Sequence, residues 1–262
     1  MKAKWLQAVV VLAVLGIAGH AAADAIWTGA GSDDLWSNAD NWQDGILPAV
    51  GVGATILSAN NDAGNDYILM NSTASLDGDI FGPEWGLHLD IDGGRLTTTG
   101  WSSAPIGETS IVEVRNAGSL QVHNLLPGWS WWYETPGTML NVYDTSLVKA
   151  TDWMWSGGRV SLYGGTVDID GAMNLLYNPL SWVDIYDGEL IIRTRYTGER
   201  DLAAEAAAWY ADGYLKAFGG AGEILIDTDT LVDGVIISAV IPEPATMVLL
   251  GLGGLLALGR RK

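Results

Sequence analysis

Short alternations of apolar and polar residues, broken by tight turns, run through the middle of the chain. The recurring unit is apolar-x-apolar, a turn of three or four residues usually holding Gly, then an apolar residue again. Five copies are Leu89–Leu96, Val112–Leu120, Leu140–Leu147, Val160–Val167 and Val183–Leu190; a sixth, Leu225–Leu231, follows an insertion. In the first five, the second apolar residue moves from Ile91 to Val114, Val142, Leu162 and Ile185, steps of 23, 28, 20 and 23 residues. Period-2 alternation turns one face of each strand inward. A step of this size is about one turn of a parallel β-helix, whose turns bury their apolar faces only by stacking. Asp, Asn and Gly at the corners supply the left-handed or tight backbone that a coil needs. The pattern predicts an all-β, parallel β-helix or solenoid-like ectodomain over residues 24–240. An antiparallel β-sandwich is the alternative, since it also uses short alternating strands.

Residues 199–218 break the pattern. Leu202, Ala206, Trp209, Tyr210 and Gly213 recur at helical spacing, which predicts an amphipathic helix over about 199–213. Solenoids need terminal caps, and this helix is expected to lie over the open C-terminal end. Strands over Glu223–Asp227 and Leu231–Ser238 follow.

Both ends read as addresses. Ile241-Pro242-Glu243-Pro244 leads into the apolar run Ala245–Gly259, and Arg260, Arg261 and Lys262 close the chain. Fifteen apolar residues reach roughly 22 Å as a helix, short of the ~30 Å hydrocarbon core. The run 245–259 is therefore expected to span as a transmembrane helix only with local thinning of the bilayer. The basic cluster stays cytoplasmic by the positive-inside rule, which places the rest of the chain outside. A buried core helix is the other reading of the run, and three terminal cations oppose it. At the N-terminus Lys2 and Lys4 precede the apolar Leu6–Ala18, and Ala21-Ala22-Ala23 fits A-x-A. This predicts a signal peptide over residues 1–23, passed through the Sec export machinery and cut after Ala23, with Ala25 as the second choice. A retained N-terminal anchor is the alternative.

The order Pro-Glu-Pro, short apolar helix, basic cluster resembles the PEP-CTERM sorting signal of exported bacterial proteins, and the likeness covers the whole tail. It implies recognition by an exosortase-type membrane protease near Pro242, Glu243 and Pro244, then release to the cell surface or extracellular matrix. The stretch Ile26-Trp27-Thr28-Gly29, then Trp36-Ser37-Asn38-Ala39-Asp40-Asn41-Trp42, then Pro48 resembles the opening of secreted β-solenoid proteins, many with this tail. Trp27, Trp36 and Trp42 are expected to plug the first coil; a Trp-lined sugar site is the alternative. Residues 211–223 resemble, less closely, a segment found at the ends of such solenoids.

Composition narrows the partners. Five of the 13 basic residues lie in the removable ends, leaving 8 against about 30 acidic residues over 24–240, a net charge of about −22. Such a surface repels nucleic acid and anionic lipid and binds divalent cations only weakly. Cys is absent, so stability outside the cell must come from packing or metal rather than disulfides.

Catalytic chemistry is thin. His88 and His123 remain after export, and no G-x-S-x-G, H-E-x-x-H or phosphate-binding loop is present. The pairs Asp33/Asp34, Asp90/Asp92, Asp168/Asp170 and Asp227/Asp229 would suit glycoside hydrolysis or calcium. They are also what the outward face of an alternating strand produces, and the solvated face is the expectation. Arg95, Arg115, Arg159, Arg193 and Arg195 are expected to stand isolated rather than to serve the acids. Asn60, Asp62, Asn65 and Asp66 surround a Gly turn and form the one weak calcium candidate; no other metal or cofactor is expected.

Aromatics give the remaining hint. Trp101, Trp153, Met173 and Tyr196 fall five or six residues beyond the second strand of their repeats, and stacking would align them as a ladder. Burial is expected for Trp101 and Trp153. Trp129, Trp131, Trp132 and Tyr133 crowd one Gly/Pro-containing loop and cannot all point inward, so they are candidates for an exposed glycan site. The sequence thus predicts a non-catalytic exported protein of the cell surface or extracellular matrix. A carbohydrate-binding module for extracellular polysaccharide is the second reading, and a polysaccharide lyase or glycoside hydrolase on the same coil the third.

Overall fold

In the computed structural model, the described residues are 25–49, 54–55, 67–76, 80–81, 88–99, 101–103, 111–128, 137–175, 181–193 and 200–241. Three sheets wrap one core, with seven, eight and seven strands among these residues. Face 1 stacks Tyr67–Met70, His88–Asp92, Ile111–Arg115, Met139–Tyr143, Arg159–Tyr163, Trp182–Ile185 and Leu215–Ala217. Face 2 stacks Thr73–Leu76, Arg95–Thr98, Ser119–Val122, Leu147–Ala150, Thr166–Ile169 and Glu189–Arg193. Face 3 stacks Ala25–Ile26, Ala54–Thr55, Ile80–Phe81, Trp101–Ser103, Asn124–Leu125, Met154–Ser156 and Met173–Leu175. Every pairing in these stacks is parallel. The parallel β-solenoid is therefore correct and the antiparallel sandwich is not.

Register explains the repeat. Leu89, Val112, Leu140, Val160 and Val183 stand directly over one another on face 1, as do Ile91, Val114, Val142, Leu162 and Ile185. All ten are buried. On face 2 the matching column is Leu96, Leu120, Val148, Val167, Leu190. The repeat was expected to place Leu147 there, but Leu147 is 38% exposed and Val148 is buried. The cause is corner length. Ile91 to Leu96, Leu162 to Val167 and Ile185 to Leu190 are five residues, whereas Val114 to Leu120 and Val142 to Val148 are six. The longer corners hold the extra residue with left-handed backbone at Asn116 (φ 55°), Ala117 (φ 60°) and Asp144 (φ 53°). Shorter corners use Gly93 (φ 66°) and Gly164 (φ 134°), where a side chain would be strained. The Asn116 amide donates to Asp92 Oδ1 at 2.6 Å and its backbone N–H to Asp144 Oδ2 at 3.3 Å, so this corner is itself tied from coil to coil.

Two further units carry no clear copy of the template. Ile68 and Met70 lie over Leu89 and Ile91, one coil before the first expected repeat. Leu215 and Ala217 lie over Val183 and Ile185, one coil after the last. The expected sixth copy, Leu225–Leu231, is not a coil. Glu223–Asp227 pairs antiparallel with Gly234–Val240, which pairs antiparallel with Glu189–Arg193 and closes face 2. The second of these strands begins at Gly234 rather than Leu231, because Asp227 first caps a turn by accepting from the Asp229 and Thr230 N–H groups at 2.8 and 3.1 Å.

Both ends of the core are sealed. Trp27, Trp36 and Trp42 are buried at the first coil, with Trp42 edge-on to Trp27 at 5.1 Å and to Trp36 at 4.9 Å. The buried Asn41 side chain accepts from Gly31 N–H and donates to Asp33 and Leu35 carbonyls, which explains the second Asn of the Trp-Ser-Asn-x-x-Asn-Trp stretch. At the other end helix α1, Leu202–Ala211, starts from an Asp201 side chain that accepts the Ala204 N–H at 3.0 Å. Leu202 and Ala206 enter the core and Trp209 packs against it, so the helix stands where a face 3 strand would come.

Leu162 is fully buried between Val142 and Ile185 in its column. Leu162→Ala should lower unfolding stability by about 2–5 kcal/mol, read from urea unfolding followed by circular dichroism. Val232, 98% exposed, gives the comparison: Val232→Ala should stay within about 0.5 kcal/mol. Equal effects at both positions would contradict the column as the seat of stability.

Candidate functional site

Stacking that aligns apolar residues inside also aligns polar ones outside. On face 1 the outward positions change character along the axis. The N-terminal coils carry charge. Asp90, 1% exposed, accepts from Arg115 Nε at 3.0 Å and Nη2 at 2.6 Å, and from the Tyr67 hydroxyl. Arg115 also reaches Asp92 at 3.3 Å. One coil further, Glu113 accepts from Tyr143 at 3.0 Å and meets His88 Nε2 at 2.9 Å. Burial pushes the Glu113 carboxyl up, but bonds from His88 and Tyr143, with the His88 charge, outweigh it and hold the carboxyl below its usual range. Tyr67 is pushed up to about 12, first by burial and then by the Asp90 carboxylate that accepts its proton. Burial likewise raises Tyr143, with Glu113 adding to it.

The C-terminal coils carry rings and cations. Tyr143, Tyr163 and Tyr186 stack face to face, with centroids 5.0 and 4.7 Å apart. Beside the stack, Arg159 and Lys216 stand over the Trp182 ring at 4.4 and 4.0 Å from its centroid. Asn141, Ser161 and Asp184 complete a cleft of about 400 Å³. Asp184 is buried and accepts the Gly219 N–H at 3.0 Å. A second cleft, about 430 Å³, lies between α1 and face 3 with Trp155 and Trp209 in its lining; its Arg200 is held bidentately by Glu205.

The carboxylate pairs do not form the expected solvated face throughout. Asp90 is buried, and Asp168 and Asp170 share Arg193 and Lys149 at 2.9 to 3.7 Å. Arg115 and Arg193 are thus not isolated cations: each lies across an acid pair. Asp33 accepts from Asn38 and Leu35 in the N-terminal cap, and those bonds lower its pKa. Asp227 is lowered by Thr230 and the Asp229 N–H. Asp33, Asp90, Asp168 and Asp227 are engaged as hydrogen-bond acceptors.

The aromatic ladder is corrected in one place. Met154, not Trp153, stands over Met173, because Trp153 is one residue out of phase. Trp153 is 37% exposed and lies 5.8 Å from Trp155. The side chain of Trp101, and all of Tyr196, Trp129, Trp131, Trp132 and Tyr133, lie outside the described residues. So do the calcium candidate Asn60, Asp62, Asn65 and Asp66, the signal-peptide residues Ala21 and Ala23, and the tail residues Pro242, Glu243, Pro244, Arg260, Arg261 and Lys262. Among the described residues no cluster of three or more His, Asp or Glu is arranged to hold a metal, and no helix is long and apolar enough to cross a membrane. Of the face 1 cleft the sequence singles out only Arg159, as an isolated cation, because the cleft residues are single outward positions on successive strands; only a correct register brings them together.

Residues 240–262 match the PEP-CTERM protein-sorting motif. The match covers the tail alone. It marks a sorting signal of the kind processed by exosortase, a membrane enzyme, and so an exported protein that is anchored in the membrane before reaching the surface. No curated protein and no solved structure matches the chain.

A phenol whose folded-state value lies above the ordinary 10.0 stabilises the fold fully below about pH 10, and loses that contribution as pH rises toward 12. Tyr67→Phe should therefore flatten the fall in unfolding stability between about pH 10 and 12 relative to the unaltered chain. Urea midpoints across that range check it, and identical slopes in the two proteins would contradict the Tyr67–Asp90 bond.

Proposed function

We propose that this chain is a non-catalytic β-solenoid, exported through a cleaved signal peptide, held in the inner membrane by residues 245–259, and passed by an exosortase-type protease to the cell surface or extracellular matrix. The observation that carries the reading is the sorting motif at residues 240–262, which begins where the last strand of the solenoid, Gly234–Val240, ends. Ile241 is 64% exposed, and the prolines at 242 and 244 cannot donate to a further ladder. The motif thus follows directly on the last strand in the sequence.

Two features support the remaining elements. Ala25 is buried and pairs with Ala54, so a signal-peptide cut after Ala23 leaves the first strand whole, whereas a cut after Ala25 removes half of it. For the absence of catalysis, the support is that Asp90, Glu113, Asp168 and Asp170 are bound to cations, His88 or tyrosines. The acidic surface suits a secreted protein that must stay soluble and apart from its own copies.

Glu243→Ala, or removal of Arg260–Lys262, should reduce released protein at least tenfold and shift it to the membrane fraction of the native host. Intact-mass analysis of the released form should give a species that begins near Asp24 and lacks Arg260–Lys262. Unchanged release of the altered chains, or a surface form that retains the basic cluster, would refute sorting.

A further inference from the structure

The described part of this strongly acidic chain carries seven Lys and Arg residues. Four of them, Arg115, Lys149, Arg193 and Arg200, are held on carboxylates. Arg159 and Lys216 are different. Among the described residues neither forms an ion pair, yet both converge on the ring of Trp182 in the face 1 cleft. Arg159 Nε is buried with no hydrogen-bond partner, so this N–H of the guanidinium has lost water without an acceptor in return. In a chain of formal net charge −18, these two cations share one concavity with a single carboxylate among its described lining residues, Asp184, which stands beside Lys216 in register; two cations against one carboxylate leave positive charge for an anion.

The rest of the cleft narrows the anion. Tyr163, which is exposed, lies between Tyr143 and Tyr186 in the stack, at 5.0 and 4.7 Å, so it offers an apolar ring edge and its hydroxyl rather than a free face. Asn141 and Ser161 supply amide and hydroxyl groups beside it. Asp184, the carboxylate among the described lining residues, is buried and engaged by the Gly219 N–H. Amide and hydroxyl groups beside apolar ring edges suit a sugar, and the guanidinium fork suits a carboxylate.

The geometry points to a subsite for an anionic saccharide: one carboxylate-bearing sugar of an acidic polysaccharide, with its carboxylate on Arg159 and Lys216 and its hydroxyls beside Asn141, Ser161 and the tyrosine edges. The surface-layer reading says only where such a polymer would be met. A chain that is never released would still bind it, so the two readings fail separately.

The test is titration calorimetry at about 0.15 M salt, where long-range surface attraction is screened, using the full chain in mild detergent. The probes are tetragalacturonate, its methyl ester and sodium sulfate. Tetragalacturonate should bind saturably, one per chain. The methyl ester, which lacks the charge, should bind at least tenfold more weakly. Arg159→Gln and Lys216→Gln should each weaken tetragalacturonate about tenfold, the effect of one charge-assisted hydrogen bond. Arg95→Gln, an exposed cation on face 2, should leave affinity unchanged. Circular dichroism confirms the fold of each variant, and Tyr163→Ala, which removes the exposed edge in the middle of the stack, should also weaken tetragalacturonate binding. No binding of tetragalacturonate at millimolar concentration would overturn the proposal. So would an equal loss in Arg95→Gln, or sulfate binding as tightly as the oligosaccharide.

Discussion

In-register parallel stacking is the constraint from which the rest of this structure follows. A single coil presents one apolar residue in two along short strands and cannot enclose them. Stacked coils bury them all, because Leu89, Val112, Leu140, Val160 and Val183 each meet the same position in the next coil. Backbone hydrogen bonds then run almost entirely between coils, so the chain has no independently stable turn. The ends of the stack are consequently the points of exposure, and each carries its own cap. Three tryptophans close the first coil, and α1 with the antiparallel hairpin closes the last. The antiparallel pairing also ends the parallel edge of face 2, which would otherwise be open to another chain.

The same register creates an electrostatic problem on the outside. Parallel stacking sets like positions side by side, so Asp90 lies directly beside Glu113 on face 1. Two adjacent carboxylates on paired strands are destabilising unless each is compensated. Arg115 satisfies the first and His88 with Tyr143 the second. On face 2, Asp168 and Asp170 are compensated by cations from the coils before and after, Lys149 and Arg193. Outward charge in this solenoid is therefore paired between coils, which is why carboxylate pairs that suggest catalysis in the linear sequence become acceptors in a lateral network.

The stack and its interior were legible because both depend on simple periods: two along the strand and roughly one coil between copies. Corners were less legible. Whether a corner takes five or six residues decides whether Leu147 or Val148 points inward, and the sequence marks that choice only through which residues tolerate left-handed backbone. The last coil was hidden for another reason. A helix separates Glu189–Arg193 from Leu215–Ala217, so the step from Ile185 to Ala217 no longer matches the others. The hairpin strand Glu223–Asp227 imitates the repeat because antiparallel strands share its period of two. Alternation alone does not record strand direction.

The face 1 cleft shows why a site on such a scaffold escapes sequence reading. Its residues share no local motif: Asn141, Ser161 and Asp184 come from successive strands, and Lys216 joins them after the helix. What sets them apart is electrostatic rather than sequential. On face 1 of the N-terminal coils Asp90, Asp92 and Glu113 meet Arg115 and His88. Past Met139 these pairs give way to stacked tyrosines, Trp182 and two cations that share the one carboxylate of Asp184. A solenoid gains new binding chemistry by this route at little cost to its fold, since outward positions do not touch the inner columns. The interruption of charge pairing, more than the presence of any residue type, distinguishes this surface from the rest of the coil.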